Sequence, residues 1–300
     1  MIVDIRSSKV VIVTVNYNGT QDTARLLSSL NTISEKVAVV VVDNCSKIKP
    51  LQLKVEFPKI DLVLSDVNGG FGYGNNLGVK HCIQNSKSVE YVFILNNDTV
   101  VSEGCIARLE EALVDSKAIC VSPLIVYPNQ KTIWFGGGGF SMKNVGAYSL
   151  YKDKPISVLS KLNDVFESPF VSGCAMFMRI SDYKKLGGFD ERFFMYVEDV
   201  DLAFRLNKIG RINLVKNAVI THYAHSSLGE EVRPLSKNNP RIRFYTKNVI
   251  LGSSIFINKN ISPGKRIYWK ILLFIKWNKN FIGLPLDDYF FMLSCFFKKE

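Results

Sequence analysis

The chain is poor in the features that would place it in the commonest motif classes. Its six cysteines, at 45, 82, 105, 120, 174 and 295, form no Cys-x-x-Cys pair. No signal peptide precedes the first expected strand, so reduced cytosolic thiols are expected. No apolar run approaches the length of about 18 residues that a membrane-spanning helix needs. No Gly-x-Gly-x-x-Gly opens a first βα unit, and there is no Gly-x-x-x-x-Gly-Lys-Ser/Thr, so neither a dehydrogenase-type dinucleotide fold nor a P-loop is supported. No serine or cysteine paired with a histidine is evident for a covalent route. Acidic residues are absent from Val232 to Leu286, where eleven Lys and Arg occur. Those eleven account for the whole formal net charge of +11, so the rest of the chain is neutral. This asymmetry divides the 300 residues into a body and a basic C-terminal segment.

What is present is a series of short apolar runs that stop at polar residues. Tyr91–Leu95 is apolar throughout, as a strand buried on both faces is, and it ends in Asn96, Asn97 and Asp98. Val10–Val15 ends in Asn16-Tyr17-Asn18-Gly19, and Val37–Val42 ends in Asp43-Asn44-Cys45-Ser46. Asp61–Leu64 and Ile119–Ser122 read as further strands. Between them, helices are expected through Leu26, Leu27 and Leu30, from near Asn75, and over Glu103–Val114. Strands alternating with helices indicate parallel βαβ units. Open sheets of that kind bind ligands at the carboxyl ends of their strands, and three polar strand ends in one sheet point to a shared crevice. An acid there is costly to bury alone. A divalent cation carrying a phosphate is one partner for it, and a plain turn is the alternative. Asn68–Asn76, with four glycines, either lets backbone approach a phosphate or sugar closely or forms a flexible loop.

The middle of the chain, Pro123–Asp164, is irregular and reads as a mobile loop with a small hairpin at the rim of the site. Phe170–Ile180 restarts the sheet, and the small residues Ser172-Gly173-Cys174-Ala175 leave space beside it. Glu198, Asp199 and Asp201 then open a helix. Acids in a first turn complement the helix dipole, and Asp201 with Arg205 makes an i,i+4 ion pair. They also follow the aromatic run Phe193, Phe194 and Tyr196, and an apolar wall raises a carboxylate toward the range of a general base. Two of the three histidines, His222 and His225, follow the strand-like Asn217–Ile220. They are either ligands or structural residues.

In the tail, Pro240–Asn258, Pro263–Lys279 and Leu286–Lys299 read as helices with apolar faces interrupted by Lys and Arg. They either pack on the body or lie on the inner leaflet of a membrane, with Trp269 and Trp277 at the headgroups. The aliphatic and aromatic runs Ile271–Ile275 and Tyr289–Met292 suit a membrane surface better than nucleic acid.

Taken together, Val13-Thr14-Val15-Asn16-Tyr17-Asn18, Val42-Asp43-Asn44-Cys45-Ser46, Asn68–Asn76, Leu95-Asn96-Asn97-Asp98-Thr99, Ser172-Gly173-Cys174 and the stretch from Gly188-Phe189-Asp190-Glu191 through Glu198-Asp199-Val200-Asp201-Leu202 resemble family 2 glycosyltransferases. The resemblance covers about residues 8–230 and is nearest to bacterial rhamnosyltransferase-like enzymes. It implies an α/β GT-A fold, a Rossmann-like, mostly parallel sheet flanked by helices, with a C-terminal helical segment. Residues 1–235 would be the catalytic domain, with a nucleotide-sugar half to about 122 and an acceptor half after it, and 236–300 the tail. The donor, a dTDP- or UDP-sugar, would lie on Val15, Asn16, Tyr17, Asp43, Asn68, Gly70, Asn75, Asn76 and Asn97. Asp98 and His222 would hold Mg²⁺ or Mn²⁺, and Asp199 would be the catalytic base. Two residues depart from the family pattern. Asn96 stands where many relatives carry the first acid of an Asp-x-Asp motif, and Cys45 stands where glycine is common.

The implied activity is inverting transfer of rhamnose from dTDP-rhamnose to a lipid-linked saccharide in O-antigen or capsule synthesis, by a peripheral enzyme on the cytoplasmic face of the membrane. A galactosyl, galactofuranosyl or N-acetylhexosaminyl transferase using a UDP-sugar is the alternative. A nucleotide-sugar-binding protein without turnover is a second, and it would have no need of Asp199. Nucleic acid is not an expected partner.

Overall fold

A computed structural model describes residues 1–141, 146–223, 241–281 and 285–297. The β-branched runs form its central sheet. In chain order the strands are β1 (Val10–Asn16), β2 (Ala38–Asn44), β3 (Asp61–Ser65), β4 (Tyr91–Leu95), β5 (Thr99–Val101), β6 (Cys120–Val126), β7 (Ile133–Phe135), β8 (Gly138–Ser141), β9 (Gly146–Ser149), β10 (Val165–Glu167), β11 (Ala175–Arg179) and β12 (Ile212–His222). The helices are α1 (Thr20–Thr32), α2 (Gln52–Glu56), α3 (Gly70–Asn85), α4 (Cys105–Asp115), α5 (Ile180–Lys185), α6 (Glu198–Leu206), α7 (Ile242–Asn260), α8 (Pro263–Asn280) and α9 (Leu286–Phe297).

The sheet order is β10-β12-β6-β11-β4-β1-β2-β3. β3, β2, β1 and β4 are parallel, as the βαβ pattern predicts, and β6 and β12 are parallel to each other. β11 runs antiparallel between β4 and β6 and joins the two parallel blocks. β2, β4 and β6 are buried along their whole length, because helices cover both faces of the sheet.

The registers decide where the site lies. Asn16 pairs with Asp43, so the carboxyl ends of β1 and β2 are level. Ala175 pairs with Leu95, which brings the start of β11 to the end of β4. Thr99 pairs with His222 through β5, which adds the end of β12. The polar strand ends therefore share one edge, as expected from the sequence.

The glycine-rich segment differs from expectation. α3 begins at Gly70, not near Asn75. A Cβ on Gly74 would stand 2.9 Å from the Val15 methyls, and one on Gly78 would stand 2.4 Å from Val13 Cγ1 and 3.0 Å from Val42 Cγ2. The glycines spaced by four form a stripe along which the helix lies directly on β1 and β2.

The irregular middle contains the expected hairpin, β8 paired with β9. Its Phe140 meets Phe170 and Phe204 edge-on.

The tail is attached through α7. Phe256 packs on Phe204 at 5.3 Å and Tyr245 on Tyr196 at 4.9 Å between ring centres. Lys259 Nζ donates to Asp190 (2.7 Å) and Asp201 (2.9 Å), and Asn260 Nδ2 donates to Asp201 (2.9 Å). The i,i+4 pair read from the sequence is present, with Arg205 Nε 2.8 Å from Asp201. Behind α7, Ile250, Ile257, Trp269, Leu273, Trp277, Phe281, Met292 and Cys295 form a second apolar cluster. Trp269 and Trp277 are 4% and 3% exposed, which corrects the expectation that they sit at a membrane surface. They share a helical face, but that face is the one the three-helix layer needs for its core. Pro240, Lys298 and Lys299 from the expected helices lie outside the described residues, as does His225. No described helix is long and apolar enough to cross a membrane.

Gly78→Ala places a methyl against Val13, and overpacking of this kind outweighs the roughly 1 kcal/mol that alanine's helix propensity contributes. The expected result is a net loss on the order of 1 kcal/mol, read as a lower urea midpoint with unchanged slope. Val13→Ala in the same chain should cost less than the sum of the two single changes. An unchanged midpoint for Gly78→Ala would overturn the close-packing account.

Candidate functional site

The first wall of the crevice is the end of β1 and β2. Asn16 is fully buried; it donates Nδ2 to Asp43 Oδ1 (2.9 Å) and accepts from Thr23 Oγ1 (2.9 Å). Asp43 is also fully buried, and its Oδ2 accepts from Ser46 N and Lys49 Nζ, both at 3.2 Å. Val15 is half-buried and Tyr17 is exposed at the mouth. Cys45 has φ 65°, in the left-handed region, which gives the physical reason why glycine suits that position.

The second wall is the start of α3. Asn44 donates to Asn68 Oδ1 (2.9 Å) and Gly70 O (3.0 Å), holding the turn that enters the helix. Gly70 has φ 91°, and a Cβ there would stand 2.0 Å from Phe194 O. The next amide, Phe71 N, donates to that same oxygen at 3.0 Å. Asn75 donates to Phe71 O (2.9 Å), and its Oδ1 is buried without a partner among the described residues. Asn76 uses its whole amide on the protein: Nδ2 donates to Phe189 O and Glu191, and Oδ1 accepts from Tyr183 and Phe189 N. Asn68, Gly70 and Asn76 thus stand as supports of the wall.

At the end of β4, Asn97 donates to Gly19 O (3.3 Å) and Thr23 Oγ1 (3.0 Å), fixing the turn against α1. Asp98 and His222, 124 residues apart in the chain, meet across β5 and β12 with Oδ1 and Nε2 3.0 Å apart. They are not aligned as a hydrogen bond, and Asp98 Oδ1 and His222 Nδ1 are buried without a hydrogen-bond partner among the described residues. The Trp134 ring meets His222 edge-on at 4.3 Å, and the Cys174 thiol is near enough to the imidazole to influence its charge. Burial works against an ionised Asp98, but His222 outweighs it and holds the carboxyl below its usual range. Burial likewise works against a charged His222, but Cys174 and Asp98 outweigh it and push the imidazole up to about 10. Asn96, where relatives carry the first acid of the motif, adds no second carboxylate beside Asp98.

The pair passes a simple test for a divalent cation. Adjacent ligands of an octahedral ion at about 2.1 Å are about 3.0 Å apart, which is the separation found. Carboxylate and neutral imidazole suit Mg²⁺ or Mn²⁺ when phosphates and water complete the shell, and an ion bound here would displace the proton that the raised His222 holds. No group of three His, Cys, Asp or Glu able to hold a metal occurs among the described residues, of which Asp98 and His222 are the candidate ligands.

The floor is the start of α6. Tyr196 and Val197 have φ 66° and 70°, and a left-handed β-branched residue costs about 1–3 kcal/mol unless its surroundings enforce it. They are enforced by α7, where a Cβ on Gly252 would stand 3.2 Å from Val197 Cβ. The turn aims Asp199 at β11, and its carboxylate accepts from Gly173 N (3.0 Å) and Val200 N (2.8 Å). Burial pushes the Asp199 carboxyl up, and those amides limit the rise. Glu198 is pushed up further, by burial and then by the charge of Asp199, and its Oε2 has no partner among the described residues. Of this pair Asp199 ionises first and Glu198 keeps its proton, because the amides of Gly173 and Val200 both receive the charge of Asp199.

Sequence reasoning passed over Trp134, Cys174, Val197 and the support from Gly252 and Lys259. The run of small residues at 172–175 marked the space, but not what fills it.

Four likenesses to known proteins bear on this arrangement. The chain is 26% identical over 234 residues to the rhamnosyltransferase WbbL of Escherichia coli, covering 72% of this chain and 84% of that one. It is 28% identical over 240 residues to the N-acetylglucosaminyl-diphospho-decaprenol L-rhamnosyltransferase of Mycobacterium tuberculosis, covering 73% and 78%. The crystal structure of GalNAc-T7 with UDP, GalNAc and Mn²⁺ superposes with a TM-score of 0.58 at 16% identity. That match covers 84% of this chain and only 52% of the other, and it is a likeness of fold, the GT-A fold. A family model, glycosyl transferase family 2, matches residues 10–187, and the chain belongs to that family.

Proposed function

We propose that the protein transfers a sugar from a nucleotide-sugar donor to a hydroxyl of a saccharide acceptor in one displacement that inverts the anomeric centre. The observation that carries this reading is the dipeptide Gly173-Cys174. Its first amide holds Asp199, and its thiol lies on the side of His222, which faces Asp98. A proton acceptor and a cation-binding pair thus flank one short segment, as a reaction with a leaving diphosphate and an attacking hydroxyl requires.

Asp43, steadied by Asn16, accepts a hydrogen bond from a pyrimidine once Lys49 releases Oδ2, and Val15 and Tyr17 border the base. Asn97 keeps the strand-end turn in place, and Asn75 presents its unpaired oxygen on the α3 side. Asp98 and His222 would hold the Mg²⁺ or Mn²⁺. When bound, that ion neutralises charge on the leaving diphosphate. Asp199 takes the proton of the acceptor hydroxyl. Its freedom from a cationic partner keeps its pKa from falling, and the protonated Glu198 beside it adds no second charge.

The names of the two curated relatives support rhamnose as the transferred sugar, for which dTDP-rhamnose is the donor proposed, and the decaprenol of the second supports a lipid-linked acceptor in surface-polysaccharide synthesis. The UDP in the solved neighbour favours a UDP-sugar as the second reading. A screen of dTDP-rhamnose and common UDP-sugars for nucleoside diphosphate release decides between them. Release from none of them, with donor still bound, would leave only a binding protein.

Asp199→Asn should lower kcat by about 10²–10⁴ while donor affinity is retained. Turnover near the wild-type rate removes Asp199 as the base. For Glu198→Gln the sign follows from its raised pKa. The folded protein holds the Glu198 proton more tightly than the unfolded chain, so ionisation above its ordinary value of 4.5 costs stability. The variant should therefore gain on the wild type as pH rises, by at most about 1.4 kcal/mol per pH unit within the window. Urea midpoints at pH 5 and pH 8 measure this, and a gain that shrinks toward pH 8 contradicts the assignment. Chelation should stop turnover, and Asp98→Ala should raise the Mn²⁺ concentration for half-activity at least about tenfold. Full activity in excess chelator would sink the cation site.

A further inference from the structure

α8 is apolar on two opposite faces. One face carries Trp269, Leu273 and Trp277 inside the second cluster. At about 100° per residue, Ile267, Ile271, Phe274 and Ile275 fall on the far side, and Tyr268 lies beside them. Their exposures are 73, 52, 37, 45 and 60%. The exposed Lys270 lies along one border of this face, and the exposed Lys265 and Lys279 lie along the other. α8 contains no acid, and none occurs from Val232 to Leu286.

We infer that this outer face of α8 docks on an anionic lipid surface, with the helix in the plane of the membrane. Ile267, Ile271, Phe274 and Ile275 enter the boundary between headgroups and acyl chains, and the lysine borders meet the lipid phosphates. A second copy of the chain fits the same face poorly, because joining two such faces brings lysine rows of one sign together. The tryptophans have no part in this contact. α8 is joined to the turn before Asp199 by α7, so docking would hold the crevice at a fixed height above the lipid. That purpose rests on the lipid-linked acceptor proposed above; the surface itself does not.

The test uses the full chain and sedimentation with vesicles of phosphatidylcholine, with and without an equal part of phosphatidylglycerol. Binding is expected only with phosphatidylglycerol, and it should weaken with salt. Ile271→Glu with Ile275→Glu should reduce partition at least tenfold without changing the thermal midpoint, since both residues are exposed. Lys265→Gln with Lys270→Gln and Lys279→Gln should also reduce it. Equal binding by wild type and variants overturns the assignment, as does failure of the wild type to bind. A wild-type dimer that the isoleucine variant dissociates, in the absence of vesicles, gives the face to self-association and overturns it too. Nucleoside diphosphate release measured without vesicles reports on the catalytic reading separately. Binding without release leaves the docking face standing, and release without binding removes it.

Discussion

The backbone from Phe194 to Val197 is the constraint on which the site depends. Its carbonyl at Phe194 accepts from the amide of Phe71, and Gly70 lies so close to it that no side chain fits. Its other end, Tyr196-Val197, is left-handed and is pressed from behind by Tyr245 and Gly252 of α7. Held on both sides, the segment has one way to enter α6, and that entry aims Asp199 at Gly173. The strain of two left-handed residues persists because elements from three distant parts of the chain over-determine it.

The four aspartates around the crevice show how one residue type is set to different tasks. Asp43 has Lys49 and the amides of Asn16 and Ser46. Asp98 has His222. Asp201 is fully buried between Arg205, Lys259 and Asn260, and it works as the rivet between α6 and the tail. Asp199 takes backbone amides and lies beside Glu198. Amides accept a charge without demanding it as a cation does, which leaves this carboxylate within reach of a proton.

Much of this was legible in the sequence, for a physical reason in each case. Strands buried on both faces must be continuously apolar, so their polar ends stand out, and the convergence of Asn16, Asp43 and Asp98 could be read directly. The meeting of Asp98 and His222 followed from the ordered motifs, not from spacing. The start of α3 was not legible. Gly69–Gly74 has the composition of a loop, and only contact with Val13, Val15 and Val42 makes it a helix. The two tryptophans were placed on one face correctly, but nothing local tells whether a helical face turns inward or outward. Nor does any local signal link Gly252 to Val197, because the link exists only in three dimensions.

The antiparallel strand at the middle of the sheet has a consequence for synthesis on the ribosome. β4 meets β1 early, but its other neighbour is β11, and Leu95 waits eighty residues for Ala175. Until then a run of five buried-type residues, Tyr91–Leu95, has an open edge able to pair with any passing strand. A nascent chain stalled between those strands is therefore the form most exposed to aggregation, and it is the form a chaperone would need to shield.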